Sequence, residues 1–419
     1  MSFPRYPKYK DSGVEWLGEV PEHWDIVALK RIASLQSGDG ITGDSIEEAG
    51  DYPVLGGNGL RGYASSFTHD GHFVVIGRQG ALCGNINYAT GKFWASEHAV
   101  VASPLKAVET VWLGEMLRAM NLNQYSVSAA QPGLSMESVG NLRTILPPVA
   151  DQTAIAAFLD RETAKIDGLV AEQWRLIELL KEKRQAVISH AVTKGLNPNA
   201  PMKPSGIEWL GDVPQHWSVK PMRSIASVVR GASPRPAGDS RYFGGDAVPW
   251  VTVAEITKDD AIYLTEAETF LTVQGAEHSS LFPAGTLIYS NSGATLGVPK
   301  ILRIDACAND GVVAFENLDR RVLPEFLYHY LASITASIRE KVKQGSGQPN
   351  LNTDIVKALQ FGLPPMNEQE SIVRHVAGLT EQFGTLTAEA ERAIELLQER
   401  RTALISAAVT GKIDVRGEV

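Results

Sequence analysis

The chain has 419 residues, of which 44% are hydrophobic and 21% charged, and its formal net charge is −9. That length suffices for two globular domains, and no apolar run predicts a membrane span or a signal peptide. The acidic charge argues against a general nucleic-acid coat protein, so DNA binding would require local basic patches or partner subunits.

An entry segment near the start of the chain occurs twice. Residues 12–24, SGVEWLGEVPEHW, return at 205–217 as SGIEWLGDVPQHW, with ten of thirteen positions identical. The chain is therefore an internal repeat. His23 and His216 have no second histidine or carboxylate at ligand spacing, so we predict that they are structural or exposed. Four tryptophans are predicted packing anchors: Trp16, Trp24, Trp209 and Trp217.

Each entry segment precedes an insert, at residues 28–146 and 221–363. Short β-rich runs between Gly-, Pro- and Asn-rich turns predict mixed α/β domains with more strand than helix. Each insert ends in a helical pattern, at residues 111–120 and 324–334.

Two short motifs relate the inserts to each other. GALCG at residues 80–84 matches GATLG at 293–297, and ASEHAV at 95–100 matches ANDGVV at 308–313. We call the first pair of motifs the kernels. The two inserts are predicted to share a fold and to differ in side chains.

A Pro-Pro pair and a long helix follow each insert. Asp151 and Glu368 lie where a carboxylate favours a helix N-terminus. Apolar residues at alternating steps of three and four predict a coiled-coil seam in each helix. Its positions are Ile155, Leu159, Ile166, Leu169, Leu176, Leu180 and Val187 in the first helix and Ile372, Val376, Leu379, Phe383, Leu386, Ala390, Ala393, Leu397 and Leu404 in the second. A helix of about 40 residues would span roughly 60 Å. The two helices pair most simply as an antiparallel coiled coil.

The predicted architecture is α+β, with two pseudo-symmetric mixed α/β domains joined by two long antiparallel helices. Its segments are the first entry segment (1–27), first insert (28–146), first helix (147–197), second entry segment (198–220), second insert (221–363) and second helix (364–419).

The motifs around the helices resemble those of specificity subunits of type I restriction–modification systems. The resemblance rests on LPPVADQTAIAAFLD at 146–160, LPPMNEQESIVRHVA at 363–377, the ELLKEKRQAVISHAVT and ELLQERRTALISAAVT tails and the entry phrase. The first copy departs from the LPP-x-x-EQ pattern at Ala150-Asp151, where the second has Asn367-Glu368, but both keep a carboxylate. The resemblance covers essentially the whole chain.

This resemblance implies a non-catalytic subunit whose inserts are target recognition domains, each reading half of a bipartite, asymmetric site in double-stranded DNA. The helices would set the half-site spacing and dock two methyltransferase subunits, with restriction/translocase subunits joining through the complex. S-adenosylmethionine, ATP and Mg would bind to those partners, with no cofactor or metal in this chain and no membrane contact. A cytoplasmic location is expected.

Motifs of catalytic function are absent from the sequence, which supports the non-catalytic interpretation. GDGITG at 38–43 and GNGLRG at 57–62 match a dinucleotide-binding pattern but neither opens a helix, so loop glycines are predicted. The Pro-Pro pairs lack the polar and aromatic neighbours of an adenine methyltransferase loop. Cys83 and Cys307, the two cysteines, are predicted to be small buried residues in a reducing compartment.

Two alternatives stay open. An interaction scaffold displaying two ligand-binding domains to protein partners would show no DNA affinity, and a fused restriction–methylation enzyme would require the missing motifs.

Candidate DNA-reading residues are donors of the types that contact bases and phosphates, in stretches that bracket the kernels. In the first insert they are Arg61, Arg78, Gln79, Asn85, Asn87 and Tyr88. In the second they are Arg230, Arg235, Arg241, Tyr242, Ser290, Asn291, Lys300, Lys341, Lys343 and Gln344. Gln131-Pro132 and Gln348-Pro349 are equally compatible with a DNA-contacting loop and with a turn into the helix.

Overall fold

The computed structural model describes residues 3–80, 82–105, 107–126, 133–293, 295–343 and 351–417, without the side chains of 341–343. The chain forms two compact units: residues 1–174 with 391–419, and residues 175–390. Each unit therefore contains one insert and part of each long helix.

The first unit is built on an entry hairpin and a six-stranded sheet. Strands β1 and β2 form the hairpin, and β3 pairs with β10 so that the strands on either side of the insert close it. The sheet has the strand order β4-β9-β7-β8-β5-β6. The bounds are β1 Tyr9–Asp11, β2 Glu19–Pro21, β3 Asp25–Ala28, β4 Ala33–Ser37, β5 Tyr52–Gly56, β6 Gly59–Ala64, β7 His69–Gly77, β8 Ile86–Ala95, β9 Ala99–Pro104, α1 Thr110–Ala119, α2 Met136–Asn141 and β10 Arg143–Leu146.

The second unit repeats this plan with its insert sheet divided in two. The strand orders are β14-β22-β19-β20-β16 and β17-β15-β21-β18, so β14-β22-β19-β20 corresponds to β4-β9-β7-β8. The bounds are β11 Met202–Pro204, β12 Asp212–Pro214, β13 Ser218–Pro221, β14 Ser227–Arg230, β15 Phe243–Val251, α4 Val253–Thr257, β16 Tyr263–Leu264, β17 Phe270–Leu271, α5 Val273–Glu277, β18 Ser280–Phe282, β19 Leu287–Ser290, β20 Pro299–Leu302, β21 Ala306–Ala308, β22 Val312–Glu316, α6 Pro324–Lys343, α7 Thr353–Ala358 and β23 Gln360–Leu363.

Two long helices complete the units, α3 at Val149–Lys194 and α8 at Met366–Val409. In the first unit the start of α3 and the end of α8 share a core, which includes Ile155 and Ile405. In the second unit the end of α3 and the start of α8 do so, through Val192 and Ile372. The helices are therefore antiparallel within each unit, and the predicted fold class is confirmed.

The predicted seam is confirmed at seven buried positions and wrong at three leucines; the buried positions are Ile155, Leu159, Ile166, Ile372, Val376, Ala390 and Leu404. Leu169 and Leu176 are 46% and 42% exposed, and Leu386 is 46% exposed. One set of packed positions, partly shared with the predicted seam, recurs every eleven residues. Eleven residues in three turns is about 3.67 residues per turn, which is closer to the 3.6 of an α-helix than the 3.5 of a heptad. These packed positions are the buried Ile155, Ile166, Ile177 and Ile188 in α3, and Ile372, Phe383, Ile394 and Ile405 in α8, where Phe383 is partly buried.

The glutamine that follows each Pro-Pro pair has a structural role. Gln152, fully buried, accepts a hydrogen bond from the Glu109 backbone N–H (2.8 Å) and donates to the Pro147 carbonyl (2.9 Å). Gln369 is likewise buried and bonds to the backbone of Leu323 (2.8 Å) and Pro364. Each glutamine therefore ties the start of its long helix to the last part of its insert.

The predicted anchors Trp24 and Trp217 are buried, and Trp16 and Trp209 are partly buried against the two cores.

Cys83 and Cys307 are buried free thiols whose pKa is raised by desolvation, as expected of inert packing residues. Within the part of the chain given above, no helix is long and apolar enough to cross a membrane.

Candidate nucleic-acid interface

The two kernels form the same turn. Gly84 N–H donates to the Gly77 carbonyl (2.8 Å) in the first unit, and Gly297 N–H donates to the Ser290 carbonyl (2.7 Å) in the second. Both turns use glycine at positive φ, 84° at Gly84 and 86° at Gly297, where other side chains are strained. The predicted register between the kernels is therefore confirmed.

The residue two positions before each kernel is held by equivalent backbone hydrogen bonds at its N–H and its carbonyl. In the first unit Arg78 N–H donates to His98 (2.9 Å), and the Arg78 carbonyl accepts from Leu134 (3.0 Å). In the second unit the corresponding bonds are Asn291 N–H to Gly311 (2.9 Å) and Leu351 N–H to Asn291 (2.7 Å). The backbone around the kernels is thus duplicated, while Arg78 and Asn291 occupy the same position in it.

The second pair of motifs forms a turn beside each kernel. Ala99 N–H donates to Ser96 (2.9 Å), and Val312 N–H donates to Asn309 (3.1 Å). Glu97 and Asp310 therefore occupy equivalent positions. We call residues 96–98 and 309–311 the acidic turns.

Some candidate side chains of the first insert have hydrogen-bond partners within the described residues, and others do not. Arg78 is partly buried, and the described residues provide no partner for its guanidinium group. The Tyr88 hydroxyl instead contacts the Val111 carbonyl (3.0 Å) and Glu115 Oε1 (2.9 Å), and burial raises its pKa. Tyr88 therefore fastens α1 to the sheet.

The other candidates of the first insert lie around the same kernel. Arg61 is exposed on β6 and lies 3.9 Å from Glu97 Oε1. Gln79 is exposed and its backbone bridges to Gly133. Asn85 is partly buried, and Asn87 has a buried amide nitrogen with no hydrogen-bond partner.

The three candidate arginines of the second insert are exposed. Arg230 Nε donates to the Asp310 carbonyl (2.5 Å), and Arg235 Nη2 lies 3.4 Å from Asp310 Oδ2. Arg241 pairs with Asp239 at 2.7 Å, and its hydrogen bonds lower the pKa of that carboxyl to about 2. The neighbouring Tyr242 is buried, at 8% exposed.

Ser290 and Lys300 are buried and fully engaged. The Ser290 hydroxyl donates to the Thr295 carbonyl (2.9 Å) and accepts from Val298 N–H (2.9 Å). Lys300, 2% exposed, donates to the carboxylate (2.5 Å) and carbonyl (3.0 Å) of Asp259 and to the Ala261 carbonyl. These contacts assign both side chains to the packing of β19 and β20, so neither is available to DNA and both predicted contacts are wrong.

Asn291 differs from both. Its side chain is 1% exposed, and neither its amide nitrogen nor its amide oxygen has a hydrogen-bond partner.

Lys341 and Lys343 lie in α6, but their side chains lie outside the described residues. The same is true of the whole of Gln344, Gln131-Pro132 and Gln348-Pro349.

Sequence reasoning missed Glu97 and Asp310 because it selected donors for bases and phosphates. The match between ASEHAV and ANDGVV did align the two acidic residues and was the signal that could have found them.

The residues supply no ligand set for a metal, since no group of three or more His, Cys, Asp or Glu side chains is suitably placed among those described. Gly57 lies in the turn between β5 and β6, as predicted for a loop glycine. Gly59 and Gly62 instead lie in β6, at positive φ of 90° and 147°.

Comparison with known proteins identifies the class. The family profile of the type I restriction modification DNA specificity domain matches residues 21–173 and 214–396. The EcoprrI specificity subunit of Escherichia coli is 44% identical over 137 residues, covering 32% of this chain and 34% of that protein. The Escherichia coli EcoDI specificity subunit is 21% identical over 418 residues, covering 94% and 90%.

Solved structures share the fold. A chain from work on complex assembly and conformational transition of the type I R-M system superposes with a TM-score of 0.68 at 16% identity, covering 93% of this chain and 98% of that chain. The HsdS subunit of Thermoanaerobacter tengcongensis gives 0.53 at 15% identity, covering 94% and 98%.

The chain therefore belongs to the type I restriction modification DNA specificity family and carries its domain twice. Within that family it is a specificity subunit with two target recognition domains.

Proposed function

We propose that the chain reads a bipartite, asymmetric site in double-stranded DNA, one half with each insert. The observation that carries the proposal is the duplicated backbone around the kernels, with different side chains two positions before each kernel, Arg78 and Asn291. Arginine pairs with guanine and asparagine with adenine through two hydrogen bonds each. Equivalent loops would therefore read different bases once the Asn291 amide, which is 1% exposed and has no hydrogen-bond partner, turns towards the DNA.

The remaining candidates divide between readout and phosphate contact. Arg78 and Gln79 stand at the first kernel and Asn291 at the second, while the exposed arginines flank them. Phosphate contacts fix the register of a protein on DNA without carrying sequence information. The proposed interface consists of Arg61, Arg78, Gln79, Asn85 and Asn87 in the first insert and Arg230, Arg235, Arg241, Asn291, Lys341, Lys343 and Gln344 in the second.

The long helices serve, in this proposal, as a spacer and as a docking surface. The 46 residues of α3 and the 44 of α8 give helices of fixed length, which suits them to define the distance between half-sites. The repeated entry segments and helices offer two equivalent surfaces for two methyltransferase subunits. Restriction subunits join through them in the cytoplasm, and methylation and cleavage, with S-adenosylmethionine, ATP and Mg, belong to these partners.

Exchange of one insert tests the proposal. Residues 28–146 are replaced by the first insert of another family member, and the methylated sites of cells that carry the variant and its methyltransferase are sequenced. One half of the recognised site should change and the other should stay. Alteration of both halves would contradict separate readers, and absence of DNA binding by the unaltered complex would favour the protein scaffold.

A further inference from the structure

Each acidic turn brings a carboxylate to a surface that is otherwise equipped with cations. Glu97 and Asp310 follow the last strand before β9 and β22, and each turn accepts a backbone hydrogen bond from Arg78 or Asn291, two positions before the kernel. A carboxylate beside DNA repels phosphates, so its presence at the same place in both inserts calls for a function that outweighs this cost.

In the first unit Glu97 is bound on several sides. Its Oε2 accepts a hydrogen bond from Ile41 N–H (3.3 Å), and its Oε1 lies 3.1 Å from His98 Nε2 and 3.9 Å from Arg61 Nη1. Although partial burial opposes ionisation, backbone hydrogen bonds from Glu97 and Ile41 and the charges of His98 and Arg61 lower the pKa of Glu97. The carboxylate is therefore an anchored anion.

The stem of Arg61 is also guided by the backbone. A Cβ atom at Gly56 would lie 2.6 Å from Arg61 Cδ, so a larger residue at that position would require the Arg61 side chain to move. Arg61 keeps a 37% exposed side chain, which leaves its guanidinium accessible to a ligand.

In the second unit Asp310 is likewise held by a hydrogen bond and contacts arginines, through different residues. Its Oδ1 accepts a hydrogen bond from the Ser233 hydroxyl (2.7 Å), which anchors it as Ile41 anchors Glu97. Its Oδ2 lies 3.4 Å from Arg235 Nη2, and its carbonyl accepts from Arg230 Nε (2.5 Å). Arg235 is 70% exposed at its side chain.

We infer that Glu97 and Asp310 are positioning residues for DNA recognition. The Glu97 carboxylate holds Arg61, and Asp310 holds Arg235 through its carboxylate and Arg230 through its backbone carbonyl, each in the orientation that engages the DNA. This inference rests on the proposed function. The physical reason is preorganisation, because an arginine fixed before binding loses less side-chain entropy when it meets a base or phosphate. Exposed ion pairs contribute little to folding, so the expected effect is on recognition rather than stability.

The test uses the complex of the full chain with its methyltransferase, on the site determined by methylome sequencing. Affinity is measured for that duplex, for a set with each base pair of the site exchanged, and for an unrelated duplex. The first-unit variants are Glu97→Gln, Arg61→Ala and the double variant, and the matched control is Glu48→Gln, an exposed glutamate of the same insert. In the second unit Asp310→Asn is compared with Asp246→Asn, which is also exposed.

Glu97→Gln should weaken binding to the recognised duplex by about tenfold, the scale of one good contact, with an unchanged denaturation midpoint. The loss should be confined to one half of the site, and Asp310→Asn should affect the other half. The double variant should bind no worse than Arg61→Ala, because the two residues act through one contact. Glu48→Gln should leave binding unchanged or slightly tighter.

Three results would overturn the inference. Tighter binding of Glu97→Gln to every duplex would make the carboxylate a repulsive charge only. Additive losses in the double variant would mean that Glu97 acts independently of Arg61. If Glu97→Gln lost the preference for a single cytosine while Arg61→Ala bound normally, Glu97 would be a direct base reader. If the unaltered complex failed to bind any site, the proposed function itself would be wrong.

Discussion

The indole Nε1–H of Trp24 donates a hydrogen bond of 2.9 Å to the carboxylate of Asp151, 127 residues further along the chain. His23 Nε2 lies 2.9 Å from the same oxygen. The second repeat reproduces the arrangement, with Trp217 donating to Glu368 at 3.1 Å and His216 at 2.7 Å from it. The His-Trp end of each entry segment thus holds the carboxylate in the first turn of each long helix.

Replacement of that carboxylate should destabilise the first unit more than the second. Asp151→Ala leaves the fully buried Trp24 indole without an acceptor and removes a favourable charge from the helix N-terminus. We expect a loss of about 3 kcal/mol in the free energy of unfolding. Glu368→Ala should cost less, since its side chain is 23% exposed against 6% for Asp151, so water can replace it.

Urea denaturation followed by tryptophan fluorescence measures both losses. Asp160→Ala, at an exposed position of α3, is the control and should change the unfolding free energy by less than about 0.5 kcal/mol. Equal effects at residues 151 and 160 would show that the hydrogen bond contributes nothing to stability.

Stability below neutral pH should depend on His329. Desolvation lowers the pKa of this buried histidine to about 4, against the opposing charge of Glu325. Between pH 6.5 and 4 the unfolded chain therefore binds more protons at this site, so stability falls as pH falls through that window. From pH 7 to 5 the loss due to His329 should be about 2 kcal/mol.

His329→Gln should remove that part of the pH dependence, which unfolding titrations at pH 7, 6 and 5 would measure. His375→Gln, at an exposed position of α8, is the matched control. If His329→Gln and the unaltered protein lost equal stability on acidification, the histidine would not titrate as argued.

The spacer proposal makes a prediction about helix length. Four residues inserted after both Ala171 and Ala388 lengthen each helix by about 6 Å, close to two base pairs at ~3.4 Å each. The non-specific spacer of the site should lengthen by one or two base pairs while both half-sites stay unchanged.

Methylome sequencing of cells that carry the doubly extended variant reads the spacer directly. Insertion into α3 alone is the informative comparison, since it mismatches the two helices and should reduce activity. A fully active, doubly extended complex with the original spacer would leave the helices as a docking surface only.

The docking proposal predicts stoichiometry. The two repeats should bind two copies of one methyltransferase subunit, because their entry segments and helices present equivalent surfaces. The mass of the reconstituted complex at saturating partner measures this number, and a single bound copy would refute the equivalence.

The sequence by itself determined the repeat, the α+β class, the register of the kernels and the existence of two long helices. These are encoded locally, in near-identical phrases and in runs of apolar residues whose periodicity is visible without the fold. The match between ASEHAV and ANDGVV was sufficient to align Glu97 with Asp310.

The tertiary structure alone decided which side chains meet. The heptad pattern selected Ile166, which is buried, and then Leu176, which is exposed beside the buried Ile177, because a small error in period accumulates over several turns. Lys300 carries the same charge in the sequence as Arg235, yet one is buried among carbonyls and the other exposed. The partner of Trp24 lies 127 residues away, and such long-range pairs depend on chain topology, which no local pattern contains.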